Sequence, residues 1–535
     1  MIRNSAPASF MASGLSDSLD QSTSFPGACT QLSNFVFDRI NRRGLTCRPG
    51  VGNAVTTFSA FTSPSTISVM RAVGTRIYGM IASGLNPGFD EPFCYDTSGG
   101  GFVTISGVTS SNVPSTLTSV GPWTPPTMDV ISSKIIVTHV GFNGTGTNFF
   151  GIIDISNPDA PAWSSSNTSG TPLSAVPTAV AQFFNRAWFV IGNLLFFSDS
   201  LAPTSITNAS QFLTLGDTSP ITAVGGVPIS TATEGIIQAL IAFKGAGKGI
   251  WQITGDVALS TLALNELSGA NGTDAPRSLV AIPSGLAYLD SDGVRVVSPL
   301  GSIGFLSPDI VQPFLNSSNP TRAVSAYANS VFRICLDTSI NGVAISGADF
   351  WFDFLFSKWN GWHSFTYHCA IRVGSECFLS SNAIPAQIFS SSVVPDSSSV
   401  YLDNGSSYSS VMESSYLPLE RTMNMKSIIE STIEVEYGQA SSYTISLNIL
   451  DENGNLAGSA SINTTKAGSN WGQVIWGQFL WAASSLFGRA VQIPWQGPVV
   501  FADCKLRLTL NSQGGVNVKR WMMRMQELNA LVYNS

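Results

Sequence analysis

The densest grouping of metal-competent side chains is Trp362-His363-Ser364-Phe365-Thr366-Tyr367-His368-Cys369, which holds two of the three histidines and one of the seven cysteines. Imidazole and thiolate together suit zinc or a related ion, provided the donors converge. Along a strand, residues five apart face opposite sides and neighbours diverge as well. His363, His368 and Cys369 would need a bend and a fourth ligand from elsewhere, so ordinary strand side chains are expected.

Other candidate chemistry is sparser. No G-x-S-x-G stands between a strand and a helix, and no G-x-x-x-x-G-K-[ST] phosphate loop occurs. Gly245-Ala246-Gly247-Lys248-Gly249 sits inside a strand pattern and reads as a hairpin turn. Ser291-Asp292-Gly293 approaches the S-x-D-x-G-x-x-W repeat of sialidase propellers but lacks its spacing and its Trp. Glycoside cleavage by two carboxylates stays open, since their separation is set in space. N-x-[ST] sequons such as those at Asn143, Asn208 and Asn404 arise readily in a chain this rich in Asn, Ser and Thr. Asp451-Glu452-Asn453-Gly454 lacks the downstream Glu of an EF-hand and is a turn. No catalytic, cofactor-binding or metal residue is therefore assigned. The expectation is a protein without enzymatic activity, cofactor or metal.

Composition narrows the class. The 535 residues exceed one hydrophobic core, so two or three domains are expected. Lys and Arg number 26 against 33 Asp and Glu, a net charge of −7 that opposes a dedicated nucleic-acid surface. Arg42, Arg43 and Arg48 form the densest basic cluster, and Lys505, Arg507, Lys519, Arg520 and Arg524 could line one sheet face. Charged residues make up only 11%, too few to keep a large free monomer apart from its neighbours. Obligate assembly through weakly charged surfaces is expected, against the alternative of an extracellular β protein with a Ser/Thr-rich face. No run reaches the length of a membrane span, the first 24 residues lack the apolar core of a signal peptide, and no CxxC pair occurs. Cytoplasmic synthesis with reduced thiols follows as an expectation.

The elements are strands almost throughout, separated by Gly, Asn, Asp and Ser turns. Apolar hairpin units begin near Arg76, Lys134, Arg186, Ile237, Gly285 and Ser330, at separations of about 45–60 residues, the scale of propeller blades. A seventh fits between His368 and Leu402. Leu286–Leu289 and Val294–Val297 flank an Asp-Gly turn, a strong hairpin signal. After a Ser-rich boundary near 390–415 the alternation lengthens: Ile429, Ile433, Val435 and Tyr437; Tyr443, Ile445, Leu447 and Ile449; Cys504, Leu506, Leu508 and Leu510. Such one-sided strands form antiparallel sheets. The expected fold is all-β, a propeller of six or seven blades followed by a C-terminal β-sandwich or jelly roll. The expected divisions are an extended N-terminal arm over 1–45, the propeller over 46–405 and the sandwich over 406–535.

Several segments in order resemble the tail nozzle (tail tubular or tail hub) proteins of short-tailed bacteriophages. Gly14-Leu15-Ser16-Asp17, Asn34-Phe35-Val36-Phe37-Asp38 and Thr46-Cys47-Arg48-Pro49-Gly50 resemble their opening arm and "RPG" lead into the propeller. Arg186–Ile206 with Leu215-Gly216-Asp217, Phe243 to Asp256, Leu267–Thr273, Ser284–Val296 and Asp349–Trp362 resemble the blades that follow. The order carries the resemblance; no single motif is specific. It implies a structural virion protein: a homo-hexamer around the distal DNA exit channel, below the adaptor (head-to-tail connector) and portal. Implied partners are the adaptor, tail fibres or spikes, a tail needle, and double-stranded DNA passing without sequence specificity. The implied location is the virion tail, assembled in the host cytoplasm. The alternative is a carbohydrate-binding or carbohydrate-cleaving propeller of a phage tail or surface adhesin.

Overall fold

The computed structural model describes residues 27–39, 44–58, 66–82, 88–116, 124–228, 237–258, 260–340, 342–381, 385–393, 401–417, 425–437, 442–465, 487–512 and 516–528, with the short stretches 3–4, 8–10, 12 and 14–16. The chain divides into two compact units: 54–349 with 366–390, and 1–53 with 350–365 and 391–535. The second is assembled from segments far apart in sequence, where the sequence reading places simple cuts at 45 and 405. Among the described residues, no helix is long and apolar enough to cross a membrane.

The first unit is a β-propeller of seven blades. Four-stranded antiparallel sheets start at Ile67–Val73, Thr127–Ile131, Ala179–Phe183, Ile221–Pro228 and Val280–Ile282, giving blades 1 to 5. Blade 6 opens with Val324–Ala328 and Val331–Ile340, and blade 7 with Cys369–Val373 and Glu376–Ser380. Each innermost strand packs against the next, and that of blade 7 returns to that of blade 1, closing the ring. The apolar units seen in the sequence are the second strands of the blades, beginning at Arg76, Lys134, Arg186, Ile237, Gly285, Val331 and Glu376. They read as unbroken apolar runs because neighbouring blades cover both faces. Arg186–Val190 is buried throughout, and Phe183, Trp188, Val190, Leu240, Ala242 and Ile253 share one core between blades 3 and 4.

Closure comes from the N-terminal side of the ring. Thr56–Thr57 adds as the outermost strand of blade 7, in register Thr57 with Gln387 and Thr56 with Ile388. Val55 N–H donates to Ile388 O at 2.8 Å, Phe58 N–H donates to Ala386 O at 2.9 Å, and the Phe58 ring is buried in the core between blades 7 and 1.

The second unit is a two-sheet β-sandwich. One sheet runs Lys358–His363, Ala28–Ser33, Ser409–Ser414, Lys505–Ser512, Ser442–Leu450, Leu456–Thr465. The other runs Phe487–Gln492, Lys426–Tyr437, Val516–Glu527, Leu45–Cys47, Phe35–Phe37. The arm is extended: Arg3–Asn4 and Ala8–Phe10 pair with Val516–Glu527, and Gly14–Leu15 pairs with Ala28–Ser33. Ile445, Leu447, Ile449, Leu506 and Leu508 are buried as alternation requires, as are Ile433 and Val435. Ile429 is the exception, 47% exposed, because a bulge between Ile428 and Glu430 shifts the register by one residue.

Asn34 and Arg48 tie the segments of this unit together. Asn34 takes a left-handed conformation (φ 56°), and its N–H donates to Trp362 O at 3.0 Å. Its Oδ1 accepts from Arg48 Nε at 3.0 Å and from Ser364 N–H at 3.1 Å, while its Nδ2 donates to Ser409 O at 2.7 Å. Arg48 is buried and forks onto the Asp403 carboxylate, with Nη1–Oδ1 at 3.0 Å. The Tyr408 hydroxyl donates to Arg48 O, and the guanidinium lies over the Tyr408 ring. Two glycines allow the close approach: a Cβ on Gly50 would meet Leu402 O at 2.2 Å, and one on Gly361 would meet Leu32 O at 2.0 Å. Asp403→Ala leaves the Arg48 charge buried and uncompensated, so a loss of about 3–5 kcal/mol is expected. Urea unfolding of the full chain measures it; a wild-type midpoint would show the ion pair to be dispensable.

Candidate functional site

The histidine–cysteine grouping is split by the fold. His363 belongs to the sandwich, its ring 4.2 Å from that of Trp351, whereas His368 and Cys369 belong to the propeller. In blade 7, His368 N–H donates to Ser380 O at 3.0 Å and the Cys369 thiol approaches Ile67 O at 3.3 Å. Arg277 Nη1 donates to His368 O at 2.9 Å. Among the described residues, no group of three His, Cys, Asp or Glu side chains stands close enough to hold a metal ion.

The third histidine makes a polar cluster that no sequence spacing announces. His139 Nε2 lies 2.9 Å from Asp90 Oδ2, Thr116 Oγ1 donates to Asp90 Oδ1 at 2.6 Å, and His139 Nδ1 accepts from Gly141 N–H at 2.9 Å. His139 and Asp90 are both buried. That arrangement fixes the neutral Nε2–H tautomer and joins the connections of blades 1 and 2.

The innermost strands present one carboxylate, Asp129. Its Oδ1 pairs with Arg71 Nη2 at 2.7 Å and accepts from Val130 N–H, while its Oδ2 accepts from Gln182 N–H at 2.6 Å. Two positions away, Thr127 Oγ1 accepts from Val180 N–H at 2.9 Å. Asp129 and Thr127 thus join blades 1, 2 and 3 near the axis, and half-exposed Arg71 leaves a polar, nearly neutral ledge there. Glycoside cleavage calls for two carboxylates across one bond; these strands supply a single one, already paired.

Other sequence candidates are structural turns and pairs. Lys244, ahead of the Gly-rich loop, is buried over the Trp251 ring and donates to Asp217. Hydrogen bonds from Lys244 and Ser219 hold the Asp217 carboxyl well below the usual range. Arg295 bridges Asp290 Oδ2 at 2.9 Å and Asp292 Oδ2 at 2.6 Å. Asn143 and Asn208 each accept from the hydroxyl two residues on, at 2.8 and 2.9 Å, and Asp451 caps its own turn. The basic strip does not form one face. Lys505 and Arg507 lie in one sheet, where both meet Glu413; Lys519, Arg520 and Arg524 lie in the other, where Arg520 pairs with Glu434 and Arg524 sits opposite Glu430. Arg48 is the buried clasp described above, and Arg42 and Arg43 lie outside the described residues. No described Trp is exposed; Trp471, Trp476 and Trp481 are not among them.

No family model and no curated protein matches the sequence. Among solved structures, the chain is similar to an exo-beta-1,3-galactanase from Phanerochaete chrysosporium, at 8% identity and TM-score 0.24, over 90% of this chain and 100% of the other. A glycoside hydrolase family 43 arabinoxylan arabinofuranohydrolase from Bacillus subtilis gives 9% identity and TM-score 0.25, over 88% and 99%. A puromycin hydrolase gives 11% identity and TM-score 0.37, over 68% and 61%. The expected exclusion of enzymatic activity is therefore withdrawn, since all three similar structures are hydrolases. Likeness at this level assigns no activity either.

His368 offers a direct check on its surroundings. Burial, with the Arg277 and Arg322 charges, pushes its imidazole down to about 4 from the model value of 6.5. The unfolded chain then binds this proton first, so the contribution of His368 to stability is complete above about pH 6.5 and declines as the pH falls towards 4. Stability measured over that range should slope less in His368→Gln than in the wild type. Parallel slopes would place the titration elsewhere.

Proposed function

We propose that this chain is a structural subunit of a short-tailed phage tail, the nozzle, assembled as a homo-hexamer around the path of the genome. The observation that carries the reading is the clasp of Asn34, Arg48 and Asp403. Asn34 and Arg48-Pro49-Gly50 are motif residues of the resemblance, and they hold together the unit from which the propeller emerges. The electrostatics agree with a conduit. Cations at Arg507 and Arg520 are neutralised by Glu413 and Glu434, so they offer little to phosphates, whose neutralisation drives DNA affinity. The adaptor above and fibres or spikes at the side complete the proposed setting, in the virion tail.

A second reading, a carbohydrate-binding propeller of a tail or surface adhesin, draws on the ledge of Arg71, Asp129 and Thr127 near the axis. Native mass spectrometry and imaging of the purified particle separate the two. A sixfold ring, with DNA affinity at physiological salt no tighter than the roughly 10⁻⁴–10⁻⁶ M of non-specific contact, is expected of the nozzle. A monomer that retains oligosaccharides, and loses them on Asp129→Ala, would establish the second reading. Sub-micromolar DNA binding would overturn the conduit.

A further inference from the structure

One turn in blade 3 departs from its counterparts. The turn after the first strand of a blade needs left-handed backbone. Four other blades supply small or polar residues there: Gly74 (φ 59°), Ser132 (58°), Asn329 with Ser330 (48° and 61°) and Gly374 (60°). Blade 3 uses Phe184 (47°) with Asn185 (55°). A bulky side chain at positive φ is strained, because its Cβ crowds the carbonyl oxygen. Leu201 repeats the anomaly at φ 59°, and its N–H donates to Asn185 O at 2.8 Å, joining the two strained turns. Neither side chain is hidden: Leu201 is 63% exposed and Phe184 38%.

The surroundings enforce this display. Arg186 Nη1 donates to Ser198 O at 2.7 Å, and Ala187 N–H donates to Ser198 Oγ at 2.9 Å. Asp199 accepts from Ser205 Oγ at 2.7 Å and from Gln211 Nε2 at 3.1 Å, while its own N–H donates to Ser205 O. Exposed apolar groups on strained, firmly held backbone add nothing to the core, and strain of this kind collects where a surface is used.

We infer that Phe184 and Leu201 form a hydrophobic knob that docks onto a second copy of this chain in the ring, an inference that rests on the assembly proposed above. Charge selects the occupant. Between Gln182 and Gly216 the ionisable side chains are Arg186 and Asp199 alone, both engaged within the loop. Nucleic acid or an anionic membrane would require cations here. A neutral protein surface does not, and a chain with 11% charged residues offers its own copies such a surface. A knob meeting a different patch on the next copy leaves that copy's knob free for the one after, which is how a ring closes.

Phe184→Asn and Leu201→Gly, singly and together in the full chain, test the knob. Both replacements suit left-handed backbone, so the melting temperature should hold or rise by about 1–4 °C. Ring association, read by native mass spectrometry over a dilution series, should weaken about 10–100-fold. A double variant that assembles like the wild type overturns the knob and leaves the assembly reading standing. A wild type that is monomeric at every concentration overturns both. Flotation with phosphatidylserine vesicles that is lost in Phe184→Asn would also overturn it, by giving the knob to lipid.

Discussion

Everything in the sandwich unit converges on a single amide side chain. Asn34 bonds to three separate stretches of chain, and its partner Arg48 carries the connection on to Asp403. A buried guanidinium is costly unless its charge and its donors are met. Here a carboxylate, an amide oxygen, the Pro49 carbonyl and the face of Tyr408 meet them. Because these partners come from residues on both sides of the propeller segment, the node defines where the chain leaves the sandwich and where it returns. The glycines at 50 and 361 follow from this, since the strands they border approach too closely for any Cβ.

The low charge has a local counterpart in the turns. Asp96 binds Ser98, Asp154 binds Ser156, Asn208 binds Ser210 and Asp217 binds Ser219, each acceptor capping the backbone or hydroxyl two residues on. Where many proteins place lysine and glutamate, this one spends short polar side chains on its own backbone. Sequons at Asn143 and Asn208 are by-products of the same habit. Cations that do occur are largely answered by a nearby carboxylate, and the surface that results is polar and quiet electrostatically.

Legibility in the sequence followed the distance between interacting residues. The second strands of the blades stood out because burial on both faces writes an unbroken apolar run, as in Arg186–Ile191 and Gly285–Asp290. The strands of the sandwich stood out for the opposite reason, one wet face and one dry. Ring closure was invisible: Thr56–Thr57 is too short to carry a pattern, and its partner lies in blade 7. The composite sandwich was invisible because no local rule places residue 34 beside residue 409. A bulge at Ile428 reversed one residue that strict alternation had assigned to the core. The Asp90–His139 pair spans two blades, and the strain at Phe184 emerges only once φ is known.

Closure by Thr56–Thr57 also sets a timetable for synthesis. The ring cannot shut until Gln387 and Ile388 have left the ribosome, some 330 residues after their partners; at about 5–20 residues per second that wait lasts roughly 15–70 s. Throughout it, Phe58 has no core to enter and the innermost strand of blade 1 has no neighbour on one side. The nascent chain therefore carries an open apolar seam for most of its own translation, and shielding of that seam, by a chaperone or by early blades folding on one another, governs the yield of closed rings.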